Sequence, residues 1–252
     1  MGAPAREIAV FESLQQLTHS AAGRFILESK NAVLERGRFT VALAGGNTPR
    51  SLYTLLASGG YRSQVDWSKV HFFWGDERSV PPIHKDSNFR MARETLLSQV
   101  NPPAANIHRI PAEKTIASEA AKAYAEELKS FFDLREGEWP RFDLVLLGMG
   151  PDGHMASLFP GTLVLHEREL LVAAPWVDQF KGYRITLTPP VLNHAAHIIF
   201  FVAGPEKAVA LQQVLEGAFQ PDIYPAQLIH PVDGTVTWMV DQTAAALLSP
   251  GR

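Results

Sequence analysis

Residues Phe142–Gly161 read FDLVLLGMGPDGHMASLFPG. The run Leu144–Leu147 is short and uninterrupted, the pattern of a strand buried on both faces of a parallel sheet. It leads into Gly148, Gly150 and Gly153, set around Pro151, with Asp152 and His154 among them. Glycine tolerates φ > 0 and close backbone approach, so the spacing predicts a strand ending in a tight loop that displays polar groups. In an open parallel sheet, ligands bind beyond the carboxyl ends of the strands. His154 is the one side chain of this loop suited to proton exchange near neutral pH, and it marks the centre of the candidate site.

Gly148-x-Gly150-x-x-Gly153 also matches the dinucleotide fingerprint letter for letter. That fingerprint needs a helix opening at once and an acid near the end of the next strand. Pro160-Gly161 breaks the chain too soon, and Glu167 and Glu169 sit at no clear strand end. NAD is not expected.

Outward from this stretch, strands alternate with helical segments. Strands are expected at Ile8–Phe11, Phe39–Leu43, Val70–Trp74, Leu170–Ala174, Arg184–Leu187, Ile198–Ala203 and Val236–Val240. Helical spacing marks residues 12–36, the segment from Pro49 to Leu56, Ser87–Val100 and Lys207–Leu215. In residues 113–132, Ile116, Ala120, Tyr124, Leu128 and Phe131 form one stripe. No linker or repeat divides the pattern, which predicts one α/β domain over residues 1–252 with a mostly parallel sheet and helices on both faces.

Composition narrows the function classes. The chain has 252 residues, 46% hydrophobic and 19% charged, as an ordinary globular protein does. A formal charge of −3 offers no global attraction to nucleic acid or an anionic membrane. Cysteine is absent, which excludes disulfides, thiolate metal sites and a cysteine nucleophile. The start, MGAPAREIAVFES, lacks a signal pattern, and Arg6 stands where a myristoylation signal takes Ser or Thr. No apolar run approaches the ~20 residues of a membrane span. A cytoplasmic protein is expected. The histidines show no metal-ligand spacing with a third partner, so neither metal nor cofactor is expected.

Three further polar clusters fall where strands end. Gly45-Gly46-Asn47-Thr48-Pro49 passes from strand to helix through small residues, an arrangement of free N–H groups that suits a phosphate. The plainer reading is a tight turn with Thr48 as helix N-cap. Gly75-Asp76-Glu77-Arg78 places charges after a third strand, with Asn88 and Arg90 in reach of the same rim and Ser87 as a plain N-cap. Arg184 and Lys207 are candidate cations for an anionic substrate.

Six stretches in register, AGGNTPRSLY, FFWGDERSVPP, DSNFRMARETLL, LLGMGPDGHMASLFPG, RITLTPPVLN and AGPEKA, resemble the 6-phosphogluconolactonase family over about Val41 to Gln227. The resemblance implies a three-layer α/β/α Rossmann-like domain like that of glucosamine-6-phosphate deaminase. It also implies hydrolysis of 6-phospho-D-glucono-1,5-lactone, a small phosphorylated sugar lactone, in the oxidative pentose phosphate pathway. Gly45, Gly46 and Thr48 then fall on a phosphate loop whose common serines are Ala44 and Asn47 here. Asp76 and Arg78 match an acidic-basic site motif, Asn88 an SN dipeptide, Arg184 and Lys207 positions near the phosphate, and His154 the general base, with Asp152 beside it. The deaminase relatives carry a glutamate just before the Pro-Gly, where this chain has Phe159, which favours the lactonase. A sugar-phosphate isomerase or deaminase and a non-catalytic sugar-phosphate sensor domain are the alternatives. Oligomeric state stays open, with a monomer favoured.

Overall fold

The computed structural model describes residues 6–249. The reading of the amino terminus as free of a targeting signal falls partly on residues 1–5, outside the described residues. In chain order the strands are β1 (Arg6–Phe11), β2 (Phe39–Leu43), β3 (Val70–Trp74), β4 (Asp76–Arg78), β5 (Leu144–Gly148), β6 (Val172–Ala173), β7 (Trp176–Val177), β8 (Gly182–Leu187), β9 (His197–Val202) and β10 (Thr235–Asp241). The helices are α1 (Leu14–Arg36), α2 (Asn47–Leu56), α3 (Gly59–Arg62), α4 (Asn88–Ala92), α5 (Ser98–Val100), α6 (Ala117–Phe132), α7 (Pro189–Asn193) and α8 (Ala208–Glu216).

A six-stranded sheet in the order β1-β10-β9-β5-β2-β3 forms the centre, and every pairing in it is parallel. β5 lies inside it between β9 and β2, which is why Leu144–Leu147 is apolar without alternation and wholly buried. Helices flank this sheet. The chain leaves β2 toward β3 on one side and leaves β5 toward β9 on the other. The loops after β2 and β5 therefore part company and leave a crevice at the carboxyl ends of the strands. Buried side chains from Leu17 to Ala244 form one continuous core.

A smaller antiparallel sheet, β4-β8-β6 with β7 on β8, carries several expected elements elsewhere than in the main sheet. Asp76–Arg78 is a strand rather than a loop, because Gly75 turns the chain and β8 supplies a partner: Arg78 lies opposite Arg184. Only Val172–Ala173 of the expected Leu170–Ala174 strand pairs. The segment after Ser87 is also less regular than its spacing predicts. A π-helical stretch, Arg93–Leu97, separates α4 from α5, and Asn101 ends the run in the left-handed region. α6 begins after Ile116, which is exposed at the N-cap instead of belonging to the stripe, while Ala120, Tyr124 and Leu128 are buried as expected. Ser13 and Gly37 cap α1, and Ser87 caps α4, its hydroxyl accepting from the Arg90 N–H at 3.1 Å.

Candidate active site

The crevice holds a cavity of about 310 Å³. Gly45 and Gly46 from the β2–α2 loop, Asn47 and Thr48 at the start of α2, Asp76 and Arg78 from β4, Asn88 from α4, Gly150 and His154 from the loop after β5, and Lys207 before α8 all line it. Arg184 and Asp152, also expected there, do not line it.

Asp152 stands behind the histidine. Its Oδ1 lies 2.5 Å from His154 Nδ1 and also accepts the His154 backbone N–H at 3.2 Å. One carboxylate oxygen thus fixes both the ring and its peptide. The loop closes through Gly150 N–H donating to the His154 carbonyl at 2.8 Å, and Gly153 N–H to the Gly150 carbonyl at 3.0 Å. Gly150 has no alternative: a Cβ there would lie 2.1 Å from His154 Nδ1 and 2.5 Å from Asp152 Oδ1. Burial works to raise the Asp152 carboxyl, but the hydrogen bond and charge of His154 outweigh it and hold it below the usual carboxylate range. On its other side the imidazole stacks on Phe159, with centroids 4.1 Å apart. No helix opens after Gly153, as the reading against a dinucleotide site expects.

The β2–α2 loop is shaped differently from a plain capped turn. Gly46, at φ 102°, occupies the N-cap of α2 in place of Thr48, and no side chain caps the helix. The first amides of α2 are left for water or a ligand. Gly45 packs on the amide of Asn88 so closely that a Cβ would fall 2.0 Å from its Oδ1. Asn88 in turn donates Nδ2 to the Asp76 carbonyl at 2.9 Å and its Oδ1 at 3.2 Å, and Ser157 donates to Asp76 Oδ2 at 2.6 Å. Asp76 is therefore a buried tie between three segments of the chain, with both carboxylate oxygens engaged.

Glu77, beside it, points away from the cavity and organises the other side. Its oxygens accept from the N–H groups of Arg78, Asn88 and Phe89 and from the Ser87 hydroxyl. Burial raises its carboxyl, and those backbone donors partly offset the rise. Arg78 donates Nη1 to the Asp86 carbonyl. Arg184 lies over the Phe180 ring at 4.7 Å, across the strand pair from Arg78. Burial first, and then the charge of Arg78, lowers its pKa. Lys207 is the cation that reaches the cavity on the α8 side, where Glu206 Oε1 stands 3.8 Å from its Nζ.

Sequence reasoning missed Ser157 and Glu77, whose roles depend on pairing distant loops. It also missed Tyr53, whose buried hydroxyl bonds both backbone groups of Ala44. A tyrosine on the apolar face of α2 was a usable signal, because a buried hydroxyl requires a partner.

The family model described as glucosamine-6-phosphate isomerases/6-phosphogluconolactonase matches residues 12–238. The chain belongs to that family. A 6-phosphogluconolactonase from Synechocystis is 44% identical over 219 residues, 87% of this chain and 88% of the relative. The solved 6-phosphogluconolactonase of Trypanosoma brucei superposes with a TM-score of 0.88 at 29% identity, covering 98% of this chain and 100% of that one. A monomeric glucosamine-6-phosphate deaminase shares the fold at 20% identity, with a TM-score of 0.79 over 96% of this chain and 99% of that one. The deaminase and the lactonases thus share this fold. Among the described residues, no helix is long and apolar enough to cross a membrane, and no group of three or more His, Asp or Glu side chains is placed to hold a metal ion.

Proposed function

We propose that the chain hydrolyses 6-phospho-D-glucono-1,5-lactone to 6-phospho-D-gluconate, the second step of the oxidative pentose phosphate pathway. The observation that carries this reading is the dyad: His154 lines the cavity while its Nδ1 is taken by Asp152. The carboxylate accepts a hydrogen bond from Nδ1–H, which leaves the Nε2 lone pair to act as base. Nε2 takes a proton from water as the water oxygen attacks C1, and the carbonyl becomes a tetrahedral oxyanion. Arg78 and backbone N–H groups at the cavity wall supply positive potential to that oxygen. Collapse breaks the bond from C1 to the ring oxygen, which receives the proton back from Nε2. A δ-lactone is already an activated ester, so one base and a positioned water suffice.

The amides at the start of α2 and the ammonium of Lys207, both in the cavity lining, hold the phosphate. Arg184 acts from outside the lining, by adding positive potential behind Arg78. Phe159 argues against ring opening of an amino sugar, because a phenyl ring stacks on His154 where the deaminase relatives carry an additional glutamate. The assembled dyad argues against a purely sensing role. A monomeric, cytoplasmic, single-domain enzyme goes with this reading, and light scattering on the purified protein tests the monomer. The deciding assay couples fresh lactone to 6-phosphogluconate dehydrogenase, with glucosamine 6-phosphate offered in parallel. Accelerated 6-phosphogluconate formation is expected; ammonia release instead would assign the deaminase reaction.

A further inference from the structure

Ala44 is the first residue beyond β2, and the parallel ladder ends one residue before it, where Gly75 N–H donates to the Leu43 carbonyl at 2.9 Å. Ala44 is almost fully buried and lies past the end of the ladder, so its own N–H and C=O have no strand partner. Both are taken by one atom. The Tyr53 hydroxyl accepts from Ala44 N–H at 2.9 Å and donates to the Ala44 carbonyl at 2.8 Å. A phenol can do both at once, and here it stands where a neighbouring strand would have stood.

Tyr53 belongs to α2, the helix whose uncapped first turn faces the cavity. Its hydroxyl therefore closes a ring that runs from the end of β2 through Gly45–Thr48 and back along α2. Gly45 is pressed from the other side by Asn88, and Gly46 takes the left-handed turn that opens the helix. The loop between these points has little freedom left. The ring of Tyr53 is fully buried, and burial keeps the phenol neutral by raising its pKa.

We propose that Tyr53 is a positioning residue: its hydroxyl holds Ala44 so that the amides of Gly45–Thr48 are preset for the substrate's phosphate. This rests on the reading of that loop as the phosphate site given above. Presetting matters because a loop that must be ordered by its ligand loses affinity by the fraction of time it is misplaced.

The experiment compares wild type with Tyr53→Phe, which keeps the buried ring and removes both bonds. It measures kcat and KM on the phosphorylated lactone and on unphosphorylated gluconolactone, with inorganic phosphate as a competitive inhibitor. For the variant, KM for the phosphorylated lactone and Ki for phosphate should both rise about tenfold, while kcat changes by less than about threefold. The efficiency on gluconolactone should stay as in wild type. Tyr124→Phe removes the same pair of bonds from Trp74, at the carboxyl end of β3, and serves as the control for a purely structural loss. It should leave the phosphate Ki unchanged. Equal Ki in wild type and Tyr53→Phe, or an equal loss on both lactones, would overturn the proposal while leaving the phosphate site standing. A wild type that neither prefers the phosphorylated lactone nor binds phosphate would remove the site reading and the proposal together. Amide exchange on the unmodified protein gives a check that no variant can spoil by misfolding. The Ala44 N–H should be strongly protected without ligand, and exchange at the rate of an open loop would sink the idea.

Discussion

Phe159 lies against the imidazole of His154, ring centroids 4.1 Å apart and planes inclined by 28°. Asp152 grips the same ring at Nδ1, so the imidazole is held at one edge by a carboxylate and on one face by a phenyl. Phe159 also meets Phe180 edge-on at 5.5 Å, which in turn lies beneath Arg184. The base is thus packed from behind by a wall running to the small sheet. Replacing Phe159 by Leu keeps apolar bulk but frees the ring. The expected result is a fall in kcat of about tenfold with KM little changed, since the loss is one of orientation. Steady-state kinetics at fixed pH reads it, and an unchanged kcat would show that Asp152 alone suffices.

His154→Ala removes the proton acceptor itself. General-base catalysis is worth about 10²–10⁴ in rate, and a loss of that order is expected after spontaneous hydrolysis is subtracted. Near-wild-type turnover would falsify the assignment of His154.

Gly150→Ala tests the loop while leaving both titrating residues in place. Its Cβ would sit 2.1 Å from His154 Nδ1, so the dyad must separate or the loop must move. A displacement of about 1 Å is enough to cost on the order of 10²-fold in rate. The variant should fold, with a melting temperature close to wild type and kcat down by about that factor. Full activity would mean that the loop relaxes freely, and that the contact does not position the base.

Lys207→Ala should weaken capture more than chemistry. A hydrogen bond to a charged group is worth about 1.5–3 kcal/mol, which corresponds to a rise in KM of roughly 10–100-fold. Activity on unphosphorylated gluconolactone should not change. A similar loss on both lactones would place Lys207 at the reacting carbonyl instead of the phosphate.

Asp152 sets an acid-side dependence of stability. Its folded-state pKa lies below the unfolded value near ~3.9, so its contribution is present above that value and is lost as pH falls through the folded one. Glu77 has the opposite sign, because burial raises its carboxyl and its stabilising share fades as pH rises. Denaturant titrations across the acid range should show wild type losing more stability than Asp152→Asn as pH drops below about 4. Parallel curves for the two proteins would mean that the Asp152–His154 contact contributes nothing to folding.

The loop around His154 was legible because its causes are local. Asp152 and His154 are two residues apart in a glycine-rich turn, and a strand as apolar as Leu144–Leu147 has to be buried on both faces. The same holds for β2, β3, β9 and β10, whose short apolar runs end in small or polar residues. Less legible were segments whose conformation is set by a partner. Asp76–Arg78 has the composition of a solvated loop, and β8 makes it a strand. Ile116 has the spacing of the α6 stripe, yet the helix begins one residue later and leaves it exposed.

By itself, then, the sequence determined the parallel α/β sheet and a glycine-rich loop that brings His154 to the crevice at its carboxyl ends. Each follows from periodicity, glycine placement and hydrogen-bonding capacity within a few residues. Only the tertiary structure decided which polar groups share the site. Asp76, Asn88 and Ser157 meet in one hydrogen-bonded knot from three separate segments with Gly45 packed against it, while Arg184 turns onto Phe180 outside the cavity lining. Those choices depend on strand register and on the burial of distant surfaces against one another, quantities that no short window of residues contains.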